Sequence, residues 1–196
     1  MENLKKLFLD TEFTGLHQKT TLISLALVAE TGEEFYAEFT DYDKNQVDDW
    51  LVENVISKLF LNDKNQSRKL EKMYIRGNRS EVKSALLIWL EQFGIERNEK
   101  KEIIPSLQIW ADVLHYDWVL FCELFGGARS IPKQIHFKAM DLSTLLFAKG
   151  VAITGQNFEL KDLIDEKDLP KNFKPHNALS DAQLGMKVLK KYMNYV

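Results

Sequence analysis

A chain of 196 residues, 45% hydrophobic and 28% charged, is long enough to bury one well-filled core and excludes a disordered or fibrous protein. Its net charge of -3 and pI near 5.9 argue against a general electrostatic grip on long nucleic acid, but not against a local one where bound cations reverse the sign of an acidic cleft. The opening Met-Glu-Asn-Leu-Lys-Lys lacks the apolar stretch of a signal peptide and no window reaches membrane-spanning length, so a single soluble, cytoplasmic domain over residues 1–196 is expected.

Leu7-Phe8-Leu9 is a short apolar run, as in a central strand buried on both faces, and it ends in Asp10. Residues 21–29 and 34–39 are further strand candidates joined through Thr31-Gly32, so the first three strands are expected to form an antiparallel meander. Apolar residues recur at helical spacing over residues 47–60 and again over 82–93. Between them, residues 62–83 carry seven basic side chains against three acidic ones, a local +4 with Tyr74 interleaved. That stretch is either an ordinary solvated surface or a tether for phosphates. Residues 106–111 look like a strand, 113–125 a helix, 137–140 a strand, 142–148 and 159–164 helical pieces, and 178–193 a final helix. A meander followed by strand-helix alternation predicts an α/β fold, a mixed sheet with helices on its faces. Cys122, the only cysteine, stands among apolar neighbours as a buried thiol, which excludes an internal disulfide.

Charged residues inside an apolar frame are the informative ones, because burying a carboxylate is costly unless a metal or partner compensates it. Residues two apart in a strand share a face, so Asp10 and Glu12 project together while Thr11 points away. On a helical wheel over residues 113–125, Asp117 falls with Val113, Leu120, Phe121 and Leu124, opposite His115 and Glu123. Asp112, at the strand-to-helix junction, is the rival for that role and is expected to act as an N-cap. In the last helix Asp181 shares the apolar face with Leu184, Gly185, Val188 and Tyr192, and Gly185 is expected to let the helix approach the sheet edge carrying Asp10 and Glu12. His176 precedes that helix on a connecting segment, with Asn177 as the expected N-cap.

Asp-Thr-Glu, a mid-chain Tyr-Asp-Trp-Val-Leu-Phe and a late His-Asn-Ala-Leu-Ser-Asp follow the order of the three motifs of DEDDh 3′-5′ exonucleases. The chain resembles that family, which includes ribonuclease T, oligoribonuclease and proofreading enzymes, over nearly its whole length. The resemblance implies a ribonuclease H-like fold. It implies that Asp10, Glu12, Asp117 and Asp181 carry two divalent cations, Mg²⁺ or Mn²⁺, with His176 as general base and nucleoside 5′-monophosphates as products. It further implies that Phe13, Thr14, Gly15 and Leu16 support the terminal nucleotide, and that the chain acts on single-stranded nucleic acid, RNA before DNA, with homodimers common among relatives. The middle motif departs, since Val113 stands where many relatives have Asn. Acids near His176 would favour its charged form, so activity is expected to favour alkaline pH. Two rivals remain: a haloacid-dehalogenase-like phosphatase, which Asp10-Thr11-Glu12-Phe13-Thr14 approaches, and a non-catalytic nucleic-acid-binding domain.

Overall fold

The computed structural model describes residues 4–151 and 159–193. Its frame is a seven-stranded mixed sheet. The three expected strands form β1 (Lys5–Phe13), β2 (Leu22–Ala29) and β3 (Glu34–Phe39), and they pair antiparallel in sequence order. Downstream come β4 (Ser67–Lys69), β5 (Lys72–Gly77), a separate small hairpin of β6 (Glu96–Arg97) and β7 (Ile103–Ile104), then β8 (Leu107–Ala111) and β9 (Met140–Asp141). In the main sheet the order is β4-β5-β3-β2-β1-β8-β9, with β8 parallel to β1 and β5 parallel to β3. β1 is therefore an interior strand, as expected of an apolar run buried on both faces.

The helices are α1 (Asp49–Asn54), α2 (Arg79–Glu91), α3 (His115–Leu124), α4 (Leu142–Ala148) and α5 (Ala178–Met193). Of the two main core clusters, one packs Leu7, Leu9, Leu25 and Leu27 of the sheet against α2 and α3; the other packs Phe8, Ala26, Val28 and Tyr36 against α4 and α5. The alternation of these residues along each strand puts the two clusters on opposite faces. No helix among the described residues is long and apolar enough to cross a membrane.

Three segments differ from the sequence reading. The helix expected over residues 47–60 is broken into α1 and flanking 3-10 turns, because Asp48 caps Leu51 and the chain bends at Val55 to bury it beside Ile23. The basic stretch over residues 62–83 folds into the β4–β5 hairpin and the start of α2. Met73 and Ile75 supply a buried alternation that charged neighbours obscure in the sequence. The strand expected over 137–140 shrinks to β9, and Phe137 is exposed.

Candidate active site

The parity of β1 continues past the core. Asp10 and Glu12 follow Phe8 to the α5 face, and Thr11 follows Leu9 to the α3 face. The strand runs on to Phe13, so Asp10 lies within it rather than at its end. From α5, Asp181 faces the pair, and carboxylate oxygens of Asp10, Glu12 and Asp181 all lie within 4.8 Å of one another. Asn177 does cap α5, accepting from the Ser180 N–H at 3.2 Å, and its own N–H donates to Asp181 Oδ2 at 3.1 Å. This fixes Asp181 at the first turn of the helix.

Asp117 approaches from the opposite face and is not part of that close triad. It is 7% exposed on the buried side of α3, as its wheel position predicts. Its Oδ1 accepts from both the N–H and the hydroxyl of Thr11, the residue between Asp10 and Glu12, which leaves Oδ2 for the cleft. Val113, placed on the same stripe by the wheel, instead precedes the helix, is 60% exposed and has φ of 49°, a left-handed conformation unfavourable for a β-branched residue.

Asp112 is not the cap of α3: its Oδ1 accepts from the Ser143 hydroxyl at 2.5 Å, and the helix opens at Leu114 without a side-chain cap. Asp141 takes the junction instead. It accepts from the Leu114 N–H at 3.1 Å and caps α4 through Thr144 at 2.6 Å. Only the parallel pairing of β8 with β9 brings it there.

Burial drives the electrostatics. It raises Asp10 well above its ordinary range, reinforced by the charges of Asp117, Asp181, Glu12 and Asp112. Burial, then Asp181 and Asp117, lifts Glu12 to about 8; burial brings Asp181 to about 7 against backbone donors from Asn177 and His176, and Asp117 to about 7 against its bonds from Thr11. Carboxylates crowded in this way repel one another unless protonated or bridged by cations, and an all-oxygen donor set suits Mg²⁺ or Mn²⁺. The residues therefore fit a divalent metal site.

These groups form the floor of an open cleft of about 750 Å³. One wall is Phe13 stacked on Tyr116, with ring centroids 5.2 Å apart, beside the 78%-exposed Leu16. Thr14 and Gly15 are not on that wall. The Thr14 hydroxyl is turned inward, accepting from the Thr21 N–H at 2.9 Å and donating to Gln46 Oε1, while the Gly15 N–H donates to Thr20 Oγ1 at 3.0 Å. They hold the loop that presents Phe13 and Leu16.

His176 is exposed on the facing rim, with φ of 58° and Trp50 edge-on at 5.3 Å. Lys58 Nζ donates to the carbonyl of neighbouring Pro175 at 2.8 Å, tying the His176 segment to the α1 region. Partial burial, with Lys58, lowers the pKa of His176 below its ordinary value, outweighing the opposing pull of Glu159. The acid Glu159 does favour the charged form, as expected from the sequence, but burial and the lysines outweigh it. Lys58, Trp50, Ser143 and Asp141 carried no sequence signal, since each joins the site by a contact between distant segments. Cys122 lies apart, buried at 4% exposure, its thiol pushed up to about 11 by burial.

Residues 5–193 match the 3'-5' exoribonuclease Rv2179c-like domain. The chain belongs to that family. The 3'-5' exoribonuclease Rv2179c of Mycobacterium tuberculosis (strain ATCC 25618 / H37Rv) is 26% identical over 180 residues, covering 91% of this chain and 96% of the relative. Among solved structures, cell-death related nuclease 4 (CRN-4) superposes with a TM-score of 0.60 at 17% identity, over 97% of this chain and 64% of that one. The nuclease domain of 3'hExo, a DEDDh family member bound to rAMP, gives 0.58 at 8% identity, over 97% and 92%. The Rv2179c-like domain thus has the ribonuclease H-like DEDDh fold and is, by class, a 3′-5′ exonuclease, which replaces the phosphatase reading.

Proposed function

We propose that this Rv2179c-like domain removes nucleoside 5′-monophosphates one at a time from the 3′ end of single-stranded or 3′-overhanging RNA. The observation that carries the reading is the gathering of Asp10, Glu12 and Asp181 within 4.8 Å, on the floor of a cleft that His176 overlooks. Asp117 completes the ligand set. Two divalent cations held there, Mg²⁺ or Mn²⁺, supply the positive charge that activates water and stabilises the phosphate in the transition state.

The remaining work falls to the chain's own residues. Thr11 and the Asn177 N–H each hold one oxygen of Asp117 and Asp181, so these carboxylates are oriented before ligands arrive. His176, with its pKa lowered, is neutral near pH 7 and takes the proton of the attacking water. The water oxygen bonds to phosphorus and the P–O3′ bond breaks, the departing O3′ taking a proton from solvent, which leaves a 3′-hydroxyl on the shortened strand and a 5′-phosphate on the released nucleotide. Phe13, stacked on Tyr116, and Leu16 offer an apolar surface to the terminal base, while Thr14 and Gly15 shape the supporting loop. The preference for RNA follows the name of the Mycobacterium tuberculosis relative.

End-labelled single-stranded RNA and DNA, incubated with Mn²⁺, Mg²⁺ or EDTA, test the reading. Mononucleotides are expected from the 3′ end, faster from RNA, with Asp10→Ala inactive and His176→Ala slower by about 10²–10⁴-fold. Cleavage that survives EDTA, or release from the 5′ end, would overturn it.

A further inference from the structure

Behind the ridge that carries His176 lies a second cleft, of about 580 Å³, that the exonuclease reading leaves without a role. The two clefts share this ridge: Phe173, Pro175 and His176 line the first, whereas Lys171, Asn172, Lys174 and Asn177 line the second. Four lysines, Lys72, Lys171, Lys174 and Lys187, stand around it against a single acid, Glu34. Glu34 is already satisfied: Lys72 lies 3.1 Å away, Gln183 Nε2 donates at 2.8 Å, and the Tyr74 hydroxyl donates as well. Lys187 donates to the backbone carbonyl of Asp168 at 2.7 Å, and neither Lys171 nor Lys174 has a carboxylate within 4.0 Å among the described residues. The cleft is therefore positive on a chain whose net charge is -3.

Its apolar wall is equally prepared. Phe60, 38% exposed, lies flat on Tyr36 at 4.9 Å with Tyr74 edge-on at 6.2 Å. The Phe60 backbone is pinned on both sides, its N–H to the buried Glu38 at 2.7 Å and its carbonyl to Asn65 Nδ2 at 2.6 Å. A fixed aromatic surface beside unpaired ammonium groups matches a base and its phosphates better than a bare anion or an acidic peptide. It also gives the basic hairpin a use, since Lys72 and Tyr74 come from β5.

We propose that this second cleft is a subsite for the single strand upstream of the 3′ end, holding its phosphates on Lys171 and Lys174 and a base against Phe60. It rests on the exonuclease reading for the strand's direction, but binding there needs neither metal nor turnover.

The test measures the binding of a labelled single-stranded RNA of roughly 12 nucleotides in EDTA over a range of salt, alongside a strand of roughly 3 nucleotides and free AMP. Lys171→Ala/Lys174→Ala is expected to weaken the longer strand about tenfold and flatten its logarithmic salt slope by about 1.4, while affecting the short strand less. Phe60→Leu should weaken the longer strand without changing the slope. An equal effect from Lys100→Ala/Lys133→Ala, exposed lysines that line neither cleft, overturns the proposal. So does equal loss for both strand lengths, lysine-dependent binding of AMP alone, or a changed sedimentation coefficient, which would make the cleft an interface between copies. A parallel cleavage assay with Mn²⁺ separates the two readings: RNA bound but not cleaved defeats the exonuclease and leaves the subsite standing.

Discussion

Glu12, Asp117 and Asp181 have ordinary values of 4.5, 3.8 and 3.8 and are raised in the fold to about 8, 7 and 7, chiefly by burial. The folded metal-free protein therefore binds more protons than the unfolded chain between about pH 4 and pH 8, and its stability falls as pH rises through that window. Divalent cations select the ionised carboxylates. Thermal unfolding in EDTA should show a lower Tm at pH 8 than at pH 5, with added Mg²⁺ raising Tm far more at pH 8. A metal-free Tm that climbs over this range would count against a buried, mutually repelling set. The same chemistry predicts which group sets the pH dependence of turnover. His176 is already lowered, so the rise in rate should track ionisation of the acids, and its midpoint should move to lower pH as Mn²⁺ concentration increases. A midpoint indifferent to metal would return the control to the imidazole.

At the scale of elements, α5 shows how a correct reading can carry a wrong reason. Asp181 faces inward with Leu184, Gly185 and Val188, as the helical period requires. Yet a Cβ at Gly185 would meet Leu142 Cδ2 and Phe8 Cδ1 at 3.9 Å, ordinary contact distance, so the glycine is not needed for the approach. Gly185→Ala is expected to raise stability by about 0.5–1 kcal/mol, seen as a higher denaturant midpoint with an unchanged slope. Destabilisation would show that the helix sits closer to β1 than these distances allow. The β4–β5 hairpin was missed for a related reason: its exposed charges dominate composition, and its pairing parallel to β3 depends on a strand far away in sequence.

For the molecule as a whole, the two core clusters share the same central strands, Leu7 and Leu9 feeding one and Phe8 the other. Loss of either face removes support from the other. Unfolding of the metal-free chain is therefore expected to be one cooperative transition, with tertiary and secondary-structure signals coincident in denaturant. Two separated transitions would mean that the faces fold independently and that residues 1–196 are not a single unit.

The sequence by itself determined what local periodicity can encode. Asp10 and Glu12 share a face because the strand period is two, and Asp117 and Asp181 turn inward because the helical period puts them among apolar neighbours. The order of the strand and helix patterns was enough for the α/β class and the meander, and the order of the motifs for the ribonuclease H-like resemblance. Only the tertiary structure decided which carboxylates meet. Asp10, Glu12 and Asp181 gather on the α5 face, while Asp117 comes over the α3 face and is held by Thr11. It likewise assigned Asp112 to Ser143, gave the junction to Asp141, tied the His176 segment to Lys58, and set a basic cleft behind that ridge. The physical reason is common to all of these. Which face a side chain takes follows from its neighbours in the chain, whereas what it meets there depends on strand order and burial, which couple residues that periodicity cannot relate.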